Sequence, residues 1–126
     1  MVLTASAKST SLEKQCMSHK SDTVRLESIL MYIDDINEII RKHTGVKETL
    51  ADKEGQYAVM MCLVQIGETL GRIESPGLRD KLPVKLGSSL RNIIVHDYEG
   101  VDPRIVGLTI SESLPKLKAQ ILEVNR

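Results

Sequence analysis

The sequence predicts an all-α fold, an antiparallel four-helix bundle whose last helix is kinked or broken. Three observations carry that expectation. Apolar residues recur at three- and four-residue steps in four separate segments, strand-like alternation is absent, and the connectors between segments are short and punctuated by Gly, Pro or Asp. A chain of 126 residues suits one hydrophobic core. That core must be aliphatic, because there is no Trp or Phe and the aromatics are Tyr32, Tyr57 and Tyr98.

Residues 1–21, "MVLTASAKSTSLEKQCMSHKS", are rich in Ser, Thr and Lys and show no sustained period. They read as a mobile N-terminal tail, leaving residues 22–126 as the helical domain. From Asp22 the pattern changes. Leu26, Ile29, Leu30, Ile33, Ile36 and Ile40 recur at helical spacing between charged residues, predicting an amphipathic helix with Asp22 as its cap. Arg41, Lys42 and His43 suit its negative end, and Thr44-Gly45 closes it. His43 is expected to be a helix-terminal residue and not a ligand.

The second helix is predicted over "KEGQYAVMMCLVQIGETLGRI". Tyr57, Met60, Met61, Val64 and Leu70 form a stripe, widened by Cys62, Leu63 and Ile66. Gly67 and Gly71 each cost about 1 kcal/mol against Ala in a helix, so both are expected to admit a close neighbour. Glu68 reads as an ordinary polar-face residue. "ESPGLRDKLP" is the next connector, with Pro76-Gly77 as its turn. A third helix runs from about Pro83 through Leu86, Leu90, Ile93 and Ile94 to an end marked by Tyr98 and Gly100. Asp102-Pro103 then opens the last helical region. Pro115 removes a backbone donor inside it and predicts a kink or break near Ser113.

Lys plus Arg and Asp plus Glu both number 17, so no overall basic surplus announces nucleic acid, and any RNA or DNA contact must be local. Cys16 and Cys62 are far apart and Cys62 lies in an apolar stretch. A buried reduced thiol and a cytoplasmic setting are therefore expected. No apolar run approaches a membrane span. Phosphate-cradling glycine loops are missing, and His19, His43 and His96 are too scattered for a zinc site, so no metal or other cofactor is indicated.

The stretch "LRNIIVHDYEG" concentrates chemistry-bearing side chains. Arg91 offers a planar fork of donors that matches a phosphate, and His96 can exchange a proton near neutral pH. Together they suit cleavage of RNA through attack by its own 2′-hydroxyl, a route that needs no metal. Asn92 shares a helix face with His96, as Tyr98 does with Arg91, whereas Arg91 and His96 stand about 140° apart on an ideal helix. A loosening helix end could bring them together. The motif supplies one histidine where both an acid and a base are useful, and a twofold dimer would supply the second. Plainer readings stand beside this one: His96 as a dipole partner at a helix end, Tyr98 as a core aromatic, Asn92 as a surface amide.

The sequence resembles the HepT-type toxins of the HEPN superfamily over about Arg25 to Glu123, through "RLESILMYIDDINEI", "AVMMCLVQIGETLGRI", "LRNIIVHDYEGVD" and "LPKLKAQI". The family signature of Arg, a polar residue, three further positions, His, one position and Tyr reads here as Arg91, Asn92, Ile93-Ile94-Val95, His96, Asp97, Tyr98. The resemblance implies an all-helical homodimer acting as a metal-independent RNase toxin beside a minimal nucleotidyltransferase antitoxin. It implies that Arg91 and His96 are catalytic, that Asn92 assists, and that Tyr98 receives AMP from the antitoxin. The rival expectations are a non-catalytic helical adaptor that docks a nucleotidyltransferase, and a plain dimerisation bundle.

Overall fold

The computed structural model describes residues 11–96 and 102–125, and of residues 11–21 and 93–96 the backbone only. All regular structure among them is helical. The elements are α1 (Ser11–Lys42), α2 (Val46–Ala51), α3 (Lys53–Gly71), α4 (Pro76–Lys81), α5 (Val84–His96), α6 (Pro103–Leu108), a π-helical turn over Thr109–Ser113, and α7 (Leu114–Val124). The four long segments anticipated from periodicity form the bundle. Two short helices, α2 and α4, occupy stretches that read as connectors.

The apolar stripes meet in one core. α1 contributes Leu26, Ile29, Ile33 and Ile36, α3 contributes Val59, Leu63, Ile66 and Leu70, α5 contributes Leu90, and α7 contributes Leu114, Leu117 and Ile121. Each such aliphatic side chain gains about 1.5–3 kcal/mol from leaving water. α3 is the central element, packing against α1 on one side and α5 on the other. Its stripe is narrower than the sequence suggests, because Tyr57 and Met61 lie more than half exposed while Met60, Cys62 and Leu63 are buried. Burial and the nearby Asp35 push the Cys62 thiol up. The buried Thr49, Thr69 and Thr109 each donate to the carbonyl four residues back, so no hydroxyl among these three is stranded.

The helix starting at Ser11 does not use Asp22 as a cap. Asp22 lies inside α1, and its carboxylate accepts the backbone N–H groups of Glu74 at 3.1 Å and Ser75 at 2.9 Å, with Arg25 at 2.9 Å. The donors that needed an acceptor came from the entry to α4, fifty residues on, and not from α1 itself. Of the tail expected over residues 1–21, residues 1–10 lie outside the described residues. Burial would raise the Asp22 carboxyl, but these three donors outweigh it and hold the group below its ordinary value. At the other end of α1, His43 sets Nδ1 at 2.8 Å from the Ile39 carbonyl oxygen and Nε2 at 3.1 Å from Asp52. Asp52 in turn caps α3 by accepting the Gly55 N–H. The Ile39 carbonyl and then Asp52 raise the imidazole above its ordinary value. The left-handed residue that ends α1 is Thr44, at φ 69°, one position before the glycine.

α3 and α5 cross at bare backbone. A Cβ built on Gly67 would sit 2.9 Å from the Gly87 carbonyl oxygen, and one on Gly87 would sit 2.7 Å from that of Gly67. Gly71, by contrast, has nothing within 4 Å of its Cβ position and supports no close approach. Near Pro115 the last α-helix is interrupted over Thr109–Ser113, where an irregularity was expected, by the π-helical turn. The Leu114 N–H reaches back to the Thr109 carbonyl, and the widened π-turn accommodates the proline with helical backbone on both sides.

Gly87→Ala is expected to lower the unfolding free energy by about 1–3 kcal/mol, since backbone and not a yielding side chain blocks the methyl group. Gly71→Ala is expected to be neutral or to stabilise by up to about 1 kcal/mol. Urea unfolding of the two variants compares them directly. Because the folded carboxyl of Asp22 titrates below its unfolded value, its contribution is present above about pH 3.8 and is lost as pH falls through the folded value. Asp22→Asn is expected to cost about 2 kcal/mol at pH 7, with the gap to the parent protein closing in melts taken towards pH 3.

Candidate active site

The α3–α5 crossing sets the candidate site. Leu90 is 1% exposed and anchors α5 in the core, which leaves the next two residues, Arg91 and Asn92, on the exposed side of the helix. The Gly67 Cβ position is only 3.3 Å from Leu90 Cβ and 3.6 Å from Arg91 Cγ. With no side chain at Gly67, the stem of Arg91 lies over α3. Its Nε then comes within 3.0 Å of Glu68 Oε1, the residue immediately after that glycine.

Arg91 is therefore ion-paired, although its side chain remains 59% exposed against 34% for Glu68. An ion pair this open to water contributes little to stability, about 0–1 kcal/mol. It places the guanidinium at the edge of α3. α5 stays helical through His96, its last residue, so the helix does not loosen before that position. His96 lies about 7.5 Å along the axis from Arg91 and about 140° around it. The His96 side chain, Asp97 and Tyr98 lie outside the described residues, as does the expected helix end at Tyr98 and Gly100. The described site thus joins Arg91, Asn92 and Glu68.

The described recesses lie elsewhere. An apolar one is lined by Val46, Lys47, Leu50, Pro103 and Arg104, and another by residues of α4 and α7. Arg91 and Asn92 instead face open solvent, a surface suited to an extended substrate. Among the described residues, no group of three His, Cys, Asp or Glu side chains is placed to hold a metal, and no helix is long and apolar enough to cross a membrane.

Comparison with known proteins matches residues 29–124 to the family model described as "Ribonuclease HepT-like". The chain belongs to the HepT-like ribonuclease family. It is 32% identical over 111 residues to "Probable ribonuclease HepT" of Thermococcus cleftensis, covering 86% of this chain and 97% of that protein. It is likewise 32% identical over 102 residues to "Putative RNase MJ0125" of Methanocaldococcus jannaschii, covering 79% of this chain and 86% of that one. No solved structure matches the chain. The family match takes in Glu68 together with the whole Arg91 to Tyr98 motif, and it begins beyond the segment that read as a tail.

Within this HepT-like chain, Glu68, which reads from the sequence as an ordinary polar-face residue, is the side chain that the structure places against Arg91. Helical periodicity places it on a polar face, as expected, but cannot say which neighbour that face meets. The available signal was Gly67. A glycine that admits a second helix places the residue after it at the edge of the crossing, within reach of whatever that helix carries one turn later. Since the pair is largely exposed, Glu68→Gln is expected to change the unfolding free energy by less than about 1 kcal/mol in urea titrations.

Proposed function

We propose that this HepT-like chain is a metal-independent endoribonuclease, the toxin of a toxin-antitoxin pair, acting in the cytoplasm at a site shared by two copies of the chain. The observation that carries the reading is that the ribonuclease family match runs through the Arg91 to Tyr98 motif while Arg91 and Asn92 stand exposed on α5. His96 accepts the proton of an RNA 2′-hydroxyl, and the freed oxygen attacks the adjacent phosphorus. As the new P–O2′ bond forms, the P–O5′ bond breaks, and Arg91 offsets the charge developing on the non-bridging oxygens. The second copy's His96, entering protonated, gives its proton to the leaving 5′-oxygen. The products are a 2′,3′-cyclic phosphate and a 5′-hydroxyl end. Asn92 assists by donating its amide to the phosphate or by holding His96.

Support for a shared site comes from the outer face of α3. Tyr57 and Met61, one turn apart, are 55% and 61% exposed. Seven residues beyond Met61 the same face reaches Glu68, beside Arg91. A second copy covering this stripe buries it and draws the two Arg91 side chains into one cleft. The two guanidinium groups and two imidazoles then supply a local positive field that the balanced net charge does not.

Control falls to a minimal nucleotidyltransferase antitoxin. It transfers AMP from ATP to the Tyr98 phenol oxygen with release of pyrophosphate. The added phosphate lies two residues from His96, where it repels and displaces the RNA backbone. In chelator-containing buffer, the purified protein is expected to cut labelled RNA, with Arg91→Ala and His96→Ala slower by about 10²–10⁴-fold. Intact RNA with the parent protein, or an undiminished rate in His96→Ala, overturns this reading and leaves the adaptor.

A further inference from the structure

A carboxylate is an unexpected neighbour for a group meant to receive RNA phosphate. Glu68 places a negative charge 3.0 Å from Arg91 Nε, where it repels the same oxygens that Arg91 attracts. The arrangement gains sense from which nitrogen it uses. The approach is an ion pair at Nε, the nitrogen next to the side-chain stem, and the two Nη groups stand farther out, where they can form a fork on another anion. A lone arginine on an exposed helix face wanders through many rotamers. This one has its stem laid across Gly67, with Cγ 3.6 Å from that residue's Cβ position, and its head tied to the adjacent Glu68.

We propose that Glu68 is the positioning residue for Arg91, its carboxylate drawing the guanidinium to the α3–α5 crossing by charge so that the Nη groups meet the scissile phosphate in one orientation. The proposal rests on the RNA-cleaving reading above. It assigns Glu68 no proton transfer. A group that orients a catalytic cation while opposing the charge of the bound substrate leaves a particular kinetic signature. Removing its charge tightens RNA binding and slows the chemical step, so KM and kcat fall together.

The experiment measures kcat, KM and the affinity for an RNA made non-cleavable by 2′-O-methylation, at one fixed salt concentration, for the parent protein, Glu68→Gln, Glu68→Asp and Arg91→Ala. Glu68→Gln is expected to lose kcat by about tenfold, a misplacement effect, and to bind the non-cleavable RNA more tightly. Glu68→Asp keeps the charge but withdraws it by one methylene. It is expected to keep the parent's RNA affinity and to lose less kcat. Unchanged kcat in Glu68→Gln overturns the proposal, as does weakened binding alongside the loss of rate. Disappearance of one limb of the pH–rate profile in Glu68→Gln also overturns it, because Glu68 would then move a proton itself. The two readings fail separately. Arg91→Ala cutting at the parent's rate sinks the catalytic assignment, whereas an inactive Arg91→Ala beside a fully active Glu68→Gln sinks only the positioning role.

Discussion

The contact between the backbones of Gly67 and Gly87 is the constraint on which the site depends. Two helices normally stand 8–10 Å apart because side chains hold them off. Here each helix presents a carbonyl oxygen to the place where the other's Cβ would be, at 2.7 and 2.9 Å. That closeness is what allows a residue on α3 to reach the nitrogen of an arginine on α5. The crossing also has little freedom to adjust, since backbone lacks the alternative rotamers with which a side chain absorbs a shift.

Around that crossing, polar ties fix the ends of the helices where aliphatic packing thins out. Asp22 holds the entry to α4 against α1 through two backbone N–H groups. His43 and Asp52 link the end of α1 to the start of α3. None of these groups belongs to the candidate site. They hold the frame in which α3 keeps its register against both α1 and α5, and with it the position of Glu68. The apolar core determines that a bundle forms, and the polar ties determine where its segments begin and turn.

Much of this was legible in the sequence. The periodic runs of Leu, Ile and Val located the long helices, Pro115 pointed to the irregular turn before it, and "LRNIIVHDYEG" stood out by the types of side chain it gathers. What stayed hidden was tertiary. Asp22 has the chemistry of a cap, and only the folded chain reveals that the N–H groups it serves are those of Glu74 and Ser75. Tyr57 and Met61 fit a helical stripe by spacing, yet both lie more than half exposed on the outer side of α3. Gly67 and Gly71 look alike in sequence, and only one of them has a helix opposite. The pairing of Glu68 with Arg91 joins residues 23 positions apart, beyond what periodicity can relate.

The π-turn over Thr109–Ser113 sets the rotational phase of everything after it. It lets one helical path carry Val106 and Ile110 and then Leu114, Leu117 and Ile121 to the same interior, although Pro115 lies between them. Each residue of an α-helix turns the chain by about 100°. Because a π-turn holds one residue more than the α-turn it replaces, a chain shortened by one residue here can close as ordinary α-helix and still present Leu114, Leu117 and Ile121 to the core. Length in this short stretch is consequently tolerant of a single deletion, whereas one lost from the regular turns of α7 would rotate every later residue by about 100°.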